Sequence, residues 1–359
     1  MKAAVLKAFG SKLIVEDVPY PVHGTGEVIV DVVAAPVLPY AAEVFSGERK
    51  YLLALPAVPG CGAVGRVRSV GPDATQLAVG DWVLCDPTVR SRDNARTPDI
   101  TLQGWSARDQ GGLRLQEYFH DGPFAEQMRI PTENAIRLPS MEANNASQWC
   151  ALVTLLVPYG GLLAAGLQAG ETLLVSGATG NYGSSAVAVA LAMGAGCVVA
   201  PGRNEMMLEE LVRRFGSRVR PVKLVGDEAT DRESMRQAAP GPIDCVLDLL
   251  PPSASTTVVR AAMMTVRPYG RVVLMGGVGM LGGPGLDIPY PWIMRNLVTV
   301  RGQWMYSPTA VTRLASIIHA GLLDLSQFTV TEFALDDANK AVAHASASAR
   351  PFSLTVIRP

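Results

Sequence analysis

Residues 173–183 read LLVSGATGNYG, and this stretch decides the fold of the chain around it. The apolar run 173–176 is long enough for a buried parallel strand. Gly177, Gly180 and Gly183 follow at intervals of three, and Ala178 with the last two glycines also fits a dinucleotide-binding fingerprint. Small residues are needed in such a turn because it is tight, its backbone approaches a pyrophosphate, and the following helix lies close to the strand.

The residues after the glycines continue the same pattern. Residues 184–193 alternate alanine with valine and leucine, which predicts a buried helix whose N-terminal amides favour an anion. A second apolar strand follows at 197–200, about 20 residues after the glycines, where a ribose-reading residue is expected. A glycine-rich turn with nothing bound remains the alternative. The expected cofactor-binding residues are Gly177, Ala178, Thr179, Gly180, Asn181, Tyr182, Gly183, Gly202, Arg203, Asn204, Gly276 and Gly277.

The residues that end this second strand indicate which nucleotide is preferred. A site for NAD carries Asp or Glu there, to accept a hydrogen bond from the ribose 2′-hydroxyl. This chain has Gly202, Arg203 and Asn204 instead, and a guanidinium pairs with a 2′-phosphate. The sequence therefore predicts NADPH as the cofactor. Alternatively, Arg203 is a solvated arginine and Asn204 only the N-cap of a helix at 205–215, although Asn204 could serve both roles.

Composition excludes several classes of protein. The chain has 359 residues, a net charge of −1 and only 18% charged residues, so no basic nucleic-acid surface is expected. The most apolar segment, 149–167, is interrupted by Pro158 and by glycines, so we expect no membrane span. The first residues enter a strand pattern without a signal peptide, and the five cysteines show no paired spacing. These features predict a cytoplasmic protein.

The chain divides by pattern into three segments. Residues 1–153 contain short strand-like runs separated by proline and glycine, as in a barrel or sandwich, with a long polar loop at 86–118. Residues 154–302 alternate strands with helices, the pattern of a doubly wound parallel sheet. Residues 303–359 contain a helix and a final strand, which we expect to return to the first domain.

This organisation resembles the medium-chain dehydrogenase/reductase superfamily. The resemblance rests on segments 26–30, 56–70, 79–83, 122–126, 170–183 and 266–277. It implies an α/β protein with a GroES-like β-rich catalytic domain and a Rossmann domain, a doubly wound parallel sheet. It also implies a small-molecule substrate and a homodimer or homotetramer that pairs through the last Rossmann strand.

The zinc-binding positions of that superfamily are not occupied by zinc ligands here. By position, the catalytic Cys, His and Glu become Leu38, Cys61 and Gly62, and the third ligand falls near Val153. One cysteine cannot form a three-ligand site, and the loop 86–118 has no cysteines for a structural zinc. The chain therefore resembles the zinc-free branch, which includes quinone reductases and enoyl or alkenal reductases, and we expect no metal.

Without zinc, the charge that develops on a substrate oxygen requires hydrogen-bond donors. Tyr51 matches a tyrosine that donates the proton in some enoyl reductases of the superfamily, and Tyr40 lies in the segment that would have held zinc ligands. Phenols are protonated at neutral pH, so either could donate. We expect Cys61 to be a buried thiol, His120 to be solvated, and Trp105 to shape a pocket or anchor its loop.

Three functions remain open from the sequence. The first is an NADPH-dependent reductase of activated C=C bonds or quinones, because hydride addition to a conjugated system spreads the charge into an enolate. The second is a zinc-free alcohol or ketone dehydrogenase. The third is an NADPH-binding protein without catalytic turnover.

Overall fold

The computed structural model describes all 359 residues. Its contacts divide the chain into two compact units. The first unit comprises Met1–Val153, Leu325–Ala349 and Ser353–Pro359, and the second comprises Thr154–Asp324 and Arg350–Phe352.

The chain up to Trp149 is rich in strands. It forms β1 (Lys2–Val5), β2 (Ile14–Asp17), β3 (Glu27–Val37), β4 (Ala63–Val70), β5 (Trp82–Cys85), β6 (Thr88–Arg90), β7 (Ile100–Leu102), β8 (Ser106–Ala107), β9 (Gln127–Pro131) and β10 (Ala135–Arg137). Three short helices accompany them: α1 (Ala41–Phe45), α2 (Gln110–Gln116) and α3 (Ala146–Trp149). The strands β1 and β2 pair with each other, and β10, β5, β4 and β3 lie side by side, with β9 also paired to β3.

The segment 86–118, expected to be a weakly patterned loop, is instead folded. Its strands β6, β7 and β8 form a small antiparallel sheet. The helix α2 is capped by Asp109, whose carboxylate accepts a hydrogen bond from the Gly112 amide at 3.0 Å. A side chain at Gly112 would meet the Ile100 carbonyl oxygen at 2.2 Å, so glycine lets the helix pack on β7. Strands of two or three residues show too little periodicity to be predicted.

From Ala151 to His319 strands and helices alternate, as predicted. The strands are β11 (Thr172–Ser176), β12 (Cys197–Gly202), β13 (Val219–Lys223), β14 (Ile243–Asp248), β15 (Val266–Leu274) and β16 (Thr299–Gly302). The helices are α4 (Ala151–Ala165), α5 (Asn181–Ala192), α6 (Glu205–Phe215), α7 (Glu228–Ala238), α8 (Thr256–Met263), α9 (Tyr290–Asn296) and α10 (Ala310–His319).

The second unit is built on one parallel sheet. Its strand order is β13-β12-β11-β14-β15-β16, so the order reverses between β11 and β14. Leu174, Val246 and Val272 are fully buried on the three central strands, packed with Met235 and Val259 from helices α7 and α8. The predicted α/β fold class, a GroES-like domain with a Rossmann sheet, is confirmed. Ligands of open parallel sheets bind at the carboxyl ends of the strands where the order reverses.

The second unit extends beyond residue 302, where the sequence placed its end. Residues 303–324 belong to the second unit. A side chain at Gly160 in α4 would lie 2.5 Å from the Met305 carbonyl oxygen and 2.7 Å from the Tyr306 Cβ. This close packing on α4 explains the difference, because segment length alone does not reveal such contacts.

The C-terminal residues complete the first unit. They form β17 (Thr329–Ala334), α11 (Ala338–Ala347) and β18 (Ser353–Arg358). The strand β18 pairs antiparallel with β3 and parallel with β17, which extends the main sheet to seven strands.

One helical run is longer than expected from the interrupted pattern at 149–167. Residues Ala143–Ala165 form 23 helical residues that are long and apolar enough to cross a membrane by length and composition. However, 72% of the most apolar window is buried inside the protein. Such burial is typical of a core helix.

Candidate functional site

The predicted glycine turn lies at the carboxyl end of β11, beside the reversal of strand order. Gly177 directly follows Ser176 and has a φ of +84°, a conformation that favours glycine. A Cβ at Gly183 would lie 1.9 Å from the Gly177 carbonyl oxygen, so only glycine lets helix α5 approach the turn this closely. Packing alone therefore accounts for these two glycines, and Gly180 between them is exposed.

Helix α5 begins at Asn181, three residues before the predicted start. Gly180 is its N-cap, and Asn181, Tyr182 and Gly183 form its first turn. The amides of a first helical turn have no partner four residues earlier and attract anions. The helix has no charged residue along its length, so no carboxylate opposes an anion at its start.

Arg203 opens onto a cavity of about 570 Å³ at the end of β12. The cavity is also lined by Thr179 and Asn204. Arg203 is exposed and forms no ion pair, so its guanidinium is available. Asn204 accepts a hydrogen bond from the Met207 amide at 3.3 Å and caps helix α6. Asn204 thus serves as the predicted N-cap while lying beside the cavity.

Sequence reasoning missed Lys223, which lines the same cavity. Lys223 ends β13 and lies in register with Gly202 of β12. Its Nζ lies 2.8 Å from Glu205 Oε1, so the cavity holds two cations and one carboxylate. The register between parallel strands is not readable from sequence, so no local signal placed Lys223 at this cavity.

A buried carboxyl group was also missed. Asp248 ends β14 next to Ser176 and is 3% exposed. Burial raises the pKa of Asp248 to about 6. Hydrogen bonds from the Ser176 hydroxyl and from the amides of Leu250 and Gly276 act in the opposite direction and lower the pKa, but by less. A Cβ at Gly276 would lie 2.3 Å from Asp248 Oδ2, which explains the glycine at that position.

The predicted Gly277 is also held by close packing. A Cβ there would lie 2.8 Å from the Pro252 Cγ, and its amide donates to the Leu250 carbonyl at 2.8 Å. The two glycines therefore form a close turn after β15, at the same edge of the sheet as Gly177.

In the first unit, the two tyrosines predicted as donors lie together. The rings of Tyr40 and Tyr51 meet edge to face with centroids 6.4 Å apart. Trp105 packs against Tyr40 at 5.8 Å and is 1% exposed. Its indole Nε1–H is buried and has no hydrogen-bond partner. Trp105 therefore anchors its segment beside these tyrosines and presents an unsatisfied donor.

Arg49 joins this cluster and was not predicted. Its guanidinium carbon lies 4.0 Å from the Tyr40 ring centroid, and its Nε donates to Glu43 Oε2 at 2.8 Å. Burial lowers the pKa of Arg49. The electrostatic interactions with Tyr51, Glu43 and Tyr40, together with a hydrogen bond to Tyr51, outweigh burial, so the pKa is raised overall. Arg49 is therefore a fixed cation beside both phenols. The segment 48–50 is polar and shows no helix or strand pattern, so this contact is not predictable from sequence.

The expected state of His120 needs correction. His120 is half-buried rather than solvated, because its Nδ1 faces Asp121 Oδ1 at 2.9 Å and its Nε2 faces the Ala54 carbonyl oxygen at 3.2 Å. The hydrogen bond to Asp121 raises the pKa of His120. The imidazole thus links Asp121 to the segment that contains Ala54, which is a structural role.

The positions that correspond to zinc ligands are buried and carry mostly apolar side chains. Leu38, Cys61 and Val153 are each at most 5% exposed. A Cβ at Gly62 would lie 3.0 Å from Val153 Cγ2, so Gly62 and Val153 are adjacent in the fold. Burial raises the pKa of the Cys61 thiol well above its ordinary value, which disfavours a thiolate ligand. No group of three or more His, Cys, Asp or Glu side chains is arranged to hold a metal ion.

Comparison with known proteins agrees with this architecture. Residues 24–140 match the model of the alcohol dehydrogenase GroES-like domain. The chain is 29% identical to acryloyl-coenzyme A reductase of Metallosphaera sedula over 286 residues, which is 77% of each protein. It is 34% identical to an alcohol dehydrogenase of Rhizobium meliloti over 196 residues, 54% of this chain and 55% of the relative.

The fold is also found in solved structures. A thermostable alcohol dehydrogenase from Pyrobaculum aerophilum aligns with a TM-score of 0.75 and 23% identity, over 100% of this chain and 99% of that one. The GroES-like segment, the parallel sheet with its glycine turn and these similarities lead to one conclusion: the chain is similar in sequence and in fold to the medium-chain dehydrogenases and reductases.

Proposed function

We propose that the protein is an NADPH-dependent oxidoreductase that transfers hydride to an activated carbon–carbon double bond or a quinone without zinc. The observation that carries the cofactor assignment is the open cavity flanked by Arg203 and Lys223, next to the glycine turn. The similarity to a relative named for the reduction of an acryloyl thioester supports the C=C assignment.

NADPH fits the residues of the second unit. The glycine turn and the first turn of α5 would hold the pyrophosphate, and Arg203 would pair with the 2′-phosphate. Lys223 adds a second positive charge at the same cavity, whereas Glu205 is paired with it and opposes a phosphate. Two cations against one carboxylate favour the phosphorylated nucleotide.

The first unit would supply the proton. When bound, the nicotinamide would supply hydride to the β-carbon of the substrate, which would leave the substrate as an enolate. The Tyr51 hydroxyl, or that of Tyr40, then donates its proton to the α-carbon and becomes a phenolate, which regains a proton from water. Arg49 stabilises that phenolate, since its charge is held beside both rings. The unpartnered Trp105 indole N–H is an additional donor for a substrate oxygen.

A second candidate is a zinc-free alcohol or ketone dehydrogenase. The 34% identity to an alcohol dehydrogenase favours it. In that case the same phenols and Arg49 would polarise a ketone rather than protonate an α-carbon. The apolar surroundings of Cys61 and Val153 would still leave the site without metal ligands.

The experiment that separates these functions is a matched substrate panel. NADPH oxidation would be followed with enones, quinones, an unsaturated acyl thioester, and the corresponding saturated ketones, with and without EDTA. The proposal expects turnover of the conjugated acceptors that EDTA does not lower. Zinc near one equivalent per chain, with EDTA-sensitive activity, would contradict the zinc-free mechanism. Absence of turnover on all acceptors, with NADPH still bound, would favour a non-catalytic binding protein.

We also propose that the protein is a cytoplasmic homodimer or homotetramer. All five cysteines are buried and unpaired, as in a reducing compartment. Strand β16 is the edge of the parallel sheet and is largely exposed. Large apolar side chains nearby in sequence are exposed as well: Met280, Leu281, Tyr290, Met294, Leu297 and Trp304. An open strand edge accompanied by apolar side chains is suited to a second copy of the chain.

A further inference from the structure

A buried acid lies at the point where the strand order of the parallel sheet reverses. Asp248 ends β14, in register with Ser176 of β11 on one side and Leu274 of β15 on the other. It is 3% exposed. Asp248 therefore lies where three strands end side by side, at the edge where open parallel sheets bind their ligands.

No positive charge balances this carboxyl group. Its hydrogen bonds come from the Ser176 hydroxyl and from the amides of Leu250 and Gly276, and its Oδ1 has no partner. Helices α4 and α5 contain no charged residue. The charged residues of the neighbouring elements pair with one another instead: Arg267 with Asp244, Arg271 with Glu171, and Arg260 with Glu228. A buried carboxylate with one unsatisfied oxygen is costly, so burial raises the affinity of this group for a proton.

The glycine turn lies directly against the residues that follow Asp248. A Cβ at Gly177 would lie 3.1 Å from the Leu249 carbonyl oxygen, and the Leu249 amide donates to the Ser176 carbonyl at 3.0 Å. A pyrophosphate at this turn would bring negative charge close to the buried acid. Like charges in a poorly solvated region raise the affinity of a carboxylate for a proton.

We propose that nucleotide binding to the second unit is coupled to proton uptake by the Asp248 carboxylate. This inference rests on the proposed function, since it needs a dinucleotide at the glycine turn. The carboxylate takes a proton from water when the nucleotide binds and returns it when the nucleotide leaves. Burial already raises the pKa of Asp248 to about 6 in the free protein, so the group is mainly ionised at neutral pH and can accept that proton.

Proton uptake has a measurable consequence for affinity. The nucleotide should bind more weakly as the pH rises from about 6 to 8, with Kd increasing by up to about tenfold per pH unit for one proton. The second unit contains one histidine, His319 at the end of α10, so a variant of Asp248 is needed to assign the proton.

Isothermal titration calorimetry in two buffers of different ionisation enthalpy measures the proton uptake directly. NADH is the primary probe because the 2′-phosphate of NADPH titrates near pH 6 itself. The full chain should take up a fraction of a proton per NADH at neutral pH. Asp248→Asn, with a neutral amide of similar size, should bind NADH with little or no uptake and with a flatter pH profile.

Ser176→Ala is the matched variant at the same site. It removes a hydrogen bond that favours the ionised acid, so the pH of greatest uptake should move upward while uptake persists. The proton uptake measured with the wild-type chain tests the inference even if a variant does not fold. Equal heats in both buffers at every pH between about 6 and 8 would overturn the inference, as would unchanged uptake in folded Asp248→Asn. If neither NADH nor NADPH binds, the nucleotide site itself is refuted, and this inference with it.

Discussion

Lys223 Nζ lies 2.8 Å from Glu205 Oε1 at the mouth of the cavity that Arg203 lines. The two residues come from consecutive elements of the parallel sheet unit, the end of β13 and the first turn of α6. Glu205 therefore holds in place, and partly neutralises, one of the two cations that would receive a 2′-phosphate. Cofactor preference should depend on the balance of these three side chains.

Removal of Arg203 should weaken NADPH selectively. Arg203→Ala should cost about 1.5–3 kcal/mol in NADPH binding, the range for hydrogen bonds to charged groups, and leave NADH nearly unchanged. Lys223→Met should act in the same direction with a smaller effect, since Glu205 already shares its charge. Titration of nucleotide fluorescence checks both variants. Equal losses for NADPH and NADH would show that Arg203 does not contact the phosphate.

Glu205→Gln is the matched control for charge at the same cavity. It keeps the size of the side chain but frees Lys223 from its ion pair, so it should strengthen NADPH binding and leave NADH affinity close to wild type. Weaker NADPH binding in this variant would mean that Glu205 positions Lys223 rather than competes with the phosphate.

The phenol cluster predicts a specific kinetic pattern. If Tyr51 donates the proton, Tyr51→Phe should lower turnover by about 10²–10⁴, the range for general acid catalysis, while NADPH binds normally. Tyr40→Phe tests the other donor in the same way. Unchanged rates in both variants would move the proton source to water or to another residue.

Arg49 should affect turnover by stabilising the phenolate of Tyr51 or Tyr40. Arg49→Met should lower turnover on conjugated acceptors because no cation then stabilises the phenolate, and Arg49→Lys should restore part of it. Glu43→Gln is the control, since the Glu43 side chain is more exposed than that of Arg49 and its substitution should have a smaller effect. Steady-state kinetics and thermal melts together distinguish this from loss of folding. Equal turnover in Arg49→Met and wild type would contradict the role.

Asp248 predicts how the stability of the protein depends on pH. Its pKa in the folded chain is about 6, raised from the ordinary value of 3.8 by burial. The stabilisation from its neutral form is fully present below about pH 4 and is lost as the pH rises through about 6. This loss amounts to at most about 3 kcal/mol.

Asp248→Asn should therefore become more stable relative to wild type as the pH rises from about 4 to 8, by up to that amount. Denaturant unfolding at several pH values measures the difference. A constant difference across this range would show that Asp248 does not change its protonation in the folded state.

Assembly is tested at the exposed face near β16. Light scattering should give a particle of at least about twice the 38.0 kDa chain mass, because an open edge and apolar side chains favour pairing. Met294→Arg should weaken the assembly, whereas Leu322→Arg, an exposed apolar position on another segment, should not. A monomer at micromolar concentration would refute the predicted dimer.

The sequence predicted best where a local pattern determines the structure. The helix α6 was predicted at its observed bounds, because Asn204 is a strong N-cap and the following residues have helical spacing. The glycine turn was found because its steric needs restrict several neighbouring positions at once.

Contacts between distant segments were not predictable in the same way. Lys223 reaches the Arg203 cavity only through the register of β12 and β13. Arg49 lies over the Tyr40 ring only because of the conformation of the segment that joins them. Asp248 reads as an ordinary acidic residue after an apolar run, and its burial depends on three strands ending together. Each missed residue depends on tertiary neighbours that a single sequence does not specify.

The central claim, reduction of conjugated acceptors by NADPH, is tested most directly by one comparison of rates. NADPH oxidation should be measured with an α,β-unsaturated ketone and with the saturated ketone of the same carbon skeleton, at equal concentration and in the presence of EDTA. We predict a higher kcat/KM for the unsaturated ketone, because its transition-state charge is already delocalised and needs no metal. A higher kcat/KM for the saturated ketone would contradict the C=C assignment.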